Sequence, residues 1–347
     1  MRRWLAVVAT AMAVAVAGLI WISCGGGDED DDDYNWDDDS DLDDFLNALP
    51  DPDSIRLSLP EGSKGDVAWL YERTVDFTRD VNGHVLMVLS WIDEITSYPP
   101  SGHEDDTYIW GPWRSSGLSM AEFKFEMTRV SGRHFTYTLY GRPKDSDDAW
   151  TKVWWGEVEA SADTQRRGIG TFTIDFDALH SIDLTIDSEG SIIVDYDTIT
   201  DGREIDVTYV EFRGEDSPDA EPVSGTYEYH DHADHTGEFT FDALVDLHYE
   251  EYHGDQYDKR EHIYFNTRWL GSGTGRSDAI ATGGDLPDIE VGGSPIEQYI
   301  LAECWDDSFA RTFFSADVIT EDGHEYNMEE EGDPDSCAFD EQLPEVP

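Results

Sequence analysis

Glu122-Phe123-Lys124-Phe125-Glu126-Met127, the turn Ser131-Gly132-Arg133, and Phe135-Thr136-Tyr137-Thr138-Leu139 alternate apolar with polar residues on both sides of a short connection. A period of two places successive side chains on opposite faces of an extended chain. Each run therefore reads as a half-buried strand, and the tight turn makes the pair antiparallel. The same pattern recurs at 153–158, 170–176, 192–196, 205–212, 226–230, 238–241, 248–252, 262–269 and 279–282. Nothing between these runs is long enough to be the helix of a parallel crossover. The expected fold is mainly β: an antiparallel meander of about ten strands, curled or barrel-like because so wide a sheet tends to roll up.

Working upstream, residues 63–98 change period. Ser63-Lys64-Gly65-Asp66 resembles a capping box. Val67, Leu70, Tyr71 and Val75, then Val81, Val85, Leu89, Ile92 and Ile95, follow at helical spacing until Pro99-Pro100. One broken helix, or two joined near Asn82-Gly83, is expected to pack on the sheet. Working downstream, Gly170-Thr171-Phe172-Thr173 and Phe176-Asp177-Ala178-Leu179 recur as Gly237-Glu238-Phe239-Thr240 and Phe241-Asp242-Ala243-Leu244. This suggests a two-unit internal repeat over about 150–282. Tyr299, Leu301, Glu303 and Trp305 alternate as a strand does, although Ser294-Pro295-Ile296-Glu297 looks like a helix start.

The front of the chain decides where the protein works. Arg2 and Arg3 precede an apolar run from Leu5 to Ile22, and Ser23, Cys24 and Gly25-Gly26-Gly27 follow. This end resembles the signal of bacterial exported lipoproteins, in which signal peptidase II cuts before a cysteine that then receives lipid. The resemblance implies a signal peptide over 1–23, lipidation at Cys24 and an extracytoplasmic location on the cell membrane or outer membrane. The alternative, an uncleaved membrane helix, also tethers the chain, since about 18 apolar residues suffice to span. Residues 28–44 carry twelve acidic side chains and no basic one, so 24–55 reads as a lipidated, acidic, disordered tether. From Gly25 to Pro50 it reaches about 90 Å at full stretch. The remainder, 56–347, reads as a single β-rich domain.

The whole chain holds 22 basic and 78 acidic side chains. Without Arg2, Arg3 and the twelve acids of 28–44, 20 face 66, a formal charge of −46. A field of that sign repels phosphate backbones, so nucleic acid is excluded as a partner. The partners that fit are the membrane, through the lipid anchor, and an apolar small molecule or another envelope protein. Of the three cysteines, Cys304 and Cys337 remain once Cys24 is assigned to lipid. In an exported protein two remaining thiols most simply form one disulfide.

Catalytic and nucleotide motifs are missing: there is no G-x-S-x-G, H-E-x-x-H, P-loop or C-x-x-C. No cofactor is implied. Paired carboxylates would serve a glycoside hydrolase, but 78 acids swamp that signal. Two clusters stand out. If a strand continues through His230-Asp231-His232-Ala233-Asp234-His235, then His230 and His232 share a face, and Asp234 or His235 completes a shell suited to zinc or copper. A hydrophilic hairpin tip is the plainer alternative. Trp154 and Trp155, with Trp110, Trp113 and Trp150, would line a groove for sugars or apolar ligands. As strand neighbours, Trp154 and Trp155 face opposite sides, which leaves one indole outward. The mature part, with its paired FDAL strings, Trp110-Gly111-Pro112-Trp113 and Glu303-Cys304-Trp305, is similar to exported lipoproteins of unassigned activity. The expected role is that of a non-catalytic binding or envelope-associated protein for an apolar or amphipathic ligand.

Overall fold

The computed structural model of the chain describes residues 40–60, 67–114, 121–144, 146, 148–184, 186–200, 202–214, 221–245 and 259–343. The segment read as a signal peptide, Cys24, most of the acidic run, the capping box expected at 63–66 and the strand expected at 248–252 lie outside the described residues. Antiparallel strands dominate the structure, as the alternation predicts. They fall into two compact units. One combines 40–56 with Asn82–Pro222, and the other combines Leu57–Val81 with Val223–Pro347.

The first unit contains helices α1 (Ser40–Ala48) and α2 (Pro52–Ile55) and the C-terminal part of a long helix α3 (Trp69–Thr96). Its strands are β1 (Gly102–Glu104), β2 (Thr107–Arg114), β3 (Ala121–Ser131), β4 (His134–Pro143), β5 (Thr151–Ala160), β6 (Gly168–Asp175), β7 (Glu189–Asp197) and β8 (Arg203–Arg213). A short helix α4 (Phe176–Ile182) follows β6. Each strand pairs antiparallel with the next. Their inward parity is uniformly apolar: Phe125, Tyr137, Trp154, Phe172, Val194 and Val207 are each no more than 2% exposed. β1 and β8 do not pair with each other, so this ladder stays open rather than closing into a barrel.

Residues 40–55 are not tether. Leu42, Phe45, Ala48 and Leu49 form an apolar stripe on α1 and are buried. The Phe45 ring packs edge-on against Tyr108 at 4.8 Å and Phe135 at 5.0 Å. Asp41 and Asp44, which sequence reading counts as solvated charge, reach Arg129 at 2.9 and 3.1 Å. The charge run hid the stripe because acids and apolar residues interleave there at helical, not random, spacing.

In the second unit the N-terminal part of α3 lies on the strands β9 (Val223–Asp231), β10 (Gly237–Val245), β11 (Glu261–Trp269), β12 (Gly275–Gly283), β13 (Glu290–Val291), β14 (Ser294–Trp305), β15 (Arg311–Thr320) and β16 (Glu325–Gly332). The ladder runs in order, except that β12 pairs with β14 and β13 pairs with β14 off the main path. The ambiguous C-terminal segment is therefore strand. Phe77 of α3 stacks on Phe241 at 5.1 Å and meets Phe265 at 5.6 Å, and Tyr71 meets Phe309 at 4.7 Å. The helix is continuous through Asn82-Gly83. Gly83 is exposed and a Cβ there would meet nothing within 4 Å, so the residue marks no break.

Polar groups under α3 are paired among themselves. Thr74 Oγ1 lies 2.7 Å from Thr267 Oγ1, which lies 2.5 Å from Ser277 Oγ. Glu303 of β14, fully buried, accepts the backbone N–H groups of Leu70 and Trp69 and an N–H of Arg311 at 2.5 Å. The helix thus starts on a carboxylate supplied by the sheet, where the positive end of its dipole favours an anion.

On the other face of the same strands the C-terminal tail is fastened by a Cys304–Cys337 disulfide. Arg268 donates to the Asp340 carbonyl at 2.5 Å and lies over the Phe339 ring, and the Gln342 N–H donates to Asp278 at 3.2 Å. Asp278 is fully buried and holds Arg276 at 2.7 Å and Arg268 at 3.2 Å. β12 is consequently covered on both faces along most of its length.

The FDAL repeat does not survive as a structural repeat. Phe241-Asp242-Ala243-Leu244 stays within β10, whereas Phe176-Asp177-Ala178-Leu179 winds into α4. The residue before it decides. Asp175 caps the helix by accepting the Ala178 N–H at 2.8 Å, and Thr240 at the matching position is an ordinary ladder residue.

Candidate functional site

The outward parity of β3–β6 builds a groove of about 500 Å³ in the first unit. Register sets its lining. Thr138, Trp155 and Thr173 stand abreast on β4, β5 and β6, and Thr136, Glu157 and Thr171 form the next row. Glu126 and Thr128 of β3 extend the two rows. Lys152 opposes Tyr140 at one end.

A bulge makes this arrangement. The register slips between Leu139 and Tyr140, so that Leu139 opposes Trp154 and Tyr140 opposes Lys152. The extra residue lets Val153 and Trp154 both point inward, at 0% and 2% exposure, which turns Lys152 and Trp155 to the outer face. Trp154 stacks on Tyr137 at 4.7 Å in the core, while Trp155 is half-buried in the groove. The expectation that one indole of the pair faces out is met by Trp155.

Under the platform the backbone comes very close. A Cβ on Gly156 would lie 2.3 Å from the Thr171 carbonyl oxygen and 2.5 Å from a ring carbon of Tyr137. Tyr137 is itself buried and its hydroxyl donates toward Thr171 O at 3.4 Å; burial raises its pKa well above that of a free tyrosine. Gly156→Ala is therefore expected to destabilise the first unit by about 1–3 kcal/mol. Urea unfolding of the two proteins checks it, and equal midpoints would contradict the crowding.

The rim is charged, with basic and acidic side chains paired along it. Lys124 Nζ lies 2.6 Å from Glu126 and 4.8 Å from the Tyr140 ring centre. Arg142 stacks over Trp150 at 4.4 Å and pairs with Glu122 at 2.9 Å. His134 is 3.3 Å from Glu157. Among the described residues Lys152 makes no ion pair, and the hydroxyls of Thr136, Thr138, Thr171 and Thr173 make no hydrogen bond to protein. The groove therefore offers an indole face, four uncommitted hydroxyls and one uncommitted ammonium.

The histidine cluster is built differently from the strand expected. β9 ends at Asp231, and 232–236 form a turn closed by His232 N–H to Thr236 O and His235 N–H to His232 O, both at 2.9 Å. His235 has a left-handed backbone, φ 65°. Asp234 accepts from the Thr236 hydroxyl at 2.6 Å and from its N–H at 3.0 Å, bonds that hold its carboxyl below the usual range. The His230 and His232 rings are 6.3 Å apart. No three of His230, His232, Asp234 and His235 gather ligand atoms within 4.8 Å of one another.

Two groups of residues were missed by reading the sequence. The groove threonines are the outward partners of the very alternation that identifies the strands, and only register shows that they adjoin. Glu303 carried a plainer signal, a charge at the inward parity between Leu301 and Trp305. No protein-family model, curated protein or solved structure matches this chain.

Proposed function

We propose that this protein is a non-catalytic binding component of the cell envelope, exported and fastened to a membrane through Cys24, which presents the Trp155 groove to an amphipathic ligand. The observation that carries the reading is the placement of Trp155. Its neighbour Trp154 completes the core, whereas Trp155 lies on the outer face beside hydroxyls that no protein group among the described residues uses. An indole left there costs apolar exposure that a ligand's apolar face would relieve, and the surrounding hydroxyls would hold its polar edge.

Binding suits the groove better than hydrolysis. Its two carboxylates, Glu126 and Glu157, stand two strands apart, so their backbones are separated by about 10 Å or more. Each also has a basic neighbour, Lys124 or His134, and neither is buried as a proton-donating acid would need to be.

Native mass spectrometry of the purified protein is expected to show a non-covalent adduct that is lost on denaturation and lost in Trp155→Ala. Because the ring is only half-buried, that variant should unfold within about 1 kcal/mol of the parent. An adduct kept in full by Trp155→Ala would place the ligand elsewhere and end the assignment.

A further inference from the structure

We infer that the ligand of this groove is a neutral saccharide chain laid across β4–β6, with one sugar ring on Trp155; this rests on the groove being the binding site. Three features select that chemistry over the alternatives.

The first is charge. The chain carries −56, and at the groove Lys124 and Lys152 offset part of the charge of Glu126, Glu157 and the neighbouring Asp195, which stands opposite Thr171 on β7. An anionic ligand would meet the repulsion of the whole protein and these carboxylates at close range. A cationic ligand would find better sites over most of the remaining surface. An uncharged ligand is indifferent to the overall field and to the acids around the site.

The second is hydrogen bonding. A threonine hydroxyl donates one bond and accepts others, and so does a sugar hydroxyl. The four threonines stand in two rows of two, with Trp155 between Thr138 and Thr173 and Glu157 between Thr136 and Thr171. Neighbouring strands are about 4.8 Å apart, close to the length of one pyranose unit. A wholly apolar ligand would cover these hydroxyls and the Lys152 ammonium without replacing the water they lose. The third is the platform, since the axial C–H face of a pyranose is apolar and stacks on an indole while its equatorial hydroxyls point outward to the rows.

Calorimetric titration of the full protein with four probes tests this: a neutral β-linked hexaglucan, a neutral α-linked hexaglucan, a uronic-acid oligomer of the same length, and 1-octanol. At least one neutral hexaglucan is expected to bind, with an affinity unchanged between about 0.1 and 1 M salt, where the screening length falls from about 10 to 3 Å. Trp155→Ala should weaken it by about tenfold or more. Thr138→Val with Thr173→Val should weaken it severalfold while the melting temperature stays that of the parent. If octanol or the uronate binds in a Trp155-dependent manner and neither hexaglucan does, the groove stands and the saccharide assignment falls. If no probe binds, or binding is undiminished in Trp155→Ala, the groove loses its role as well.

Discussion

Replacing Glu303 by alanine is expected to destabilise the second unit by about 3 kcal/mol. The carboxylate is fully buried and serves three donors: the Leu70 and Trp69 N–H groups at the start of α3 and the Arg311 guanidinium. Its removal leaves two helix N–H groups without partners away from water, each a desolvation penalty of about 1–3 kcal/mol. Arg311 softens the loss, because it is 25% exposed and can regain some hydration. The same residue gives a pH signature. Burial raises the Glu303 pKa from its ordinary 4.5, against the lowering effect of Leu70, Trp69 and Arg311. Between 4.5 and the raised value the folded chain holds a proton that the unfolded chain has lost. Stability from this group is thus fully present below 4.5 and falls as pH rises through the folded pKa. Urea unfolding across that window should show the decline in the parent and a flatter profile in Glu303→Gln. An alanine variant that melts with the parent would mean that α3 does not depend on this cap.

Reducing the Cys304–Cys337 bond, or replacing Cys337 by serine, should cost the second unit about 3–4 kcal/mol in the chain-entropy model, given a sequence separation of 33. The effect has a local part that distinguishes it from a general loss of stability. The tail beyond Cys337 is held by few bonds, chiefly Arg268 to Asp340 O and Gln342 N–H to Asp278. Without the covalent fastening those bonds must carry the ordering of the segment alone. Hydrogen exchange at Gln342 should accelerate on reduction, and Asp278, with its two arginines, should become accessible from that side. Melting and exchange both unchanged after complete reduction would show that the bond adds nothing to the contacts it spans.

The two-residue period made the strands legible, because burial of one face of a sheet writes itself directly into alternation. Phe123-Lys124-Phe125 and Phe135-Thr136-Tyr137 sit in β3 and β4 as their parity requires. What alternation cannot carry is which outward residues become neighbours. That one indole of the Trp154–Trp155 pair faces outward was visible, but that it is Trp155, and that it adjoins Thr138 and Thr173, follows from the bulge at Lys152–Trp154. A one-residue slip of that kind leaves no composition signal. Local strings misled where a flanking residue chose the conformation. FDAL is helix after Asp175 and strand after Thr240. The hairpin at His232–Thr236 shows the converse. Asp234 and Thr236 spelled a turn, and the metal-ligand spacing of the histidines competed with that reading only so long as the strand was allowed to run on.

The docking of α1 has a bearing on where the protein can operate. A lipid at Cys24, as proposed, would stand sixteen peptide links from Ser40, where the described helix α1 begins. That span is about 55 Å at most when pulled taut, not the 90 Å available had the helix been part of the cord. If the proposed lipid anchor and saccharide site both hold, so short a mooring would confine the molecule to a thin shell above the bilayer, where it would meet glycans belonging to that membrane far more often than those drifting past.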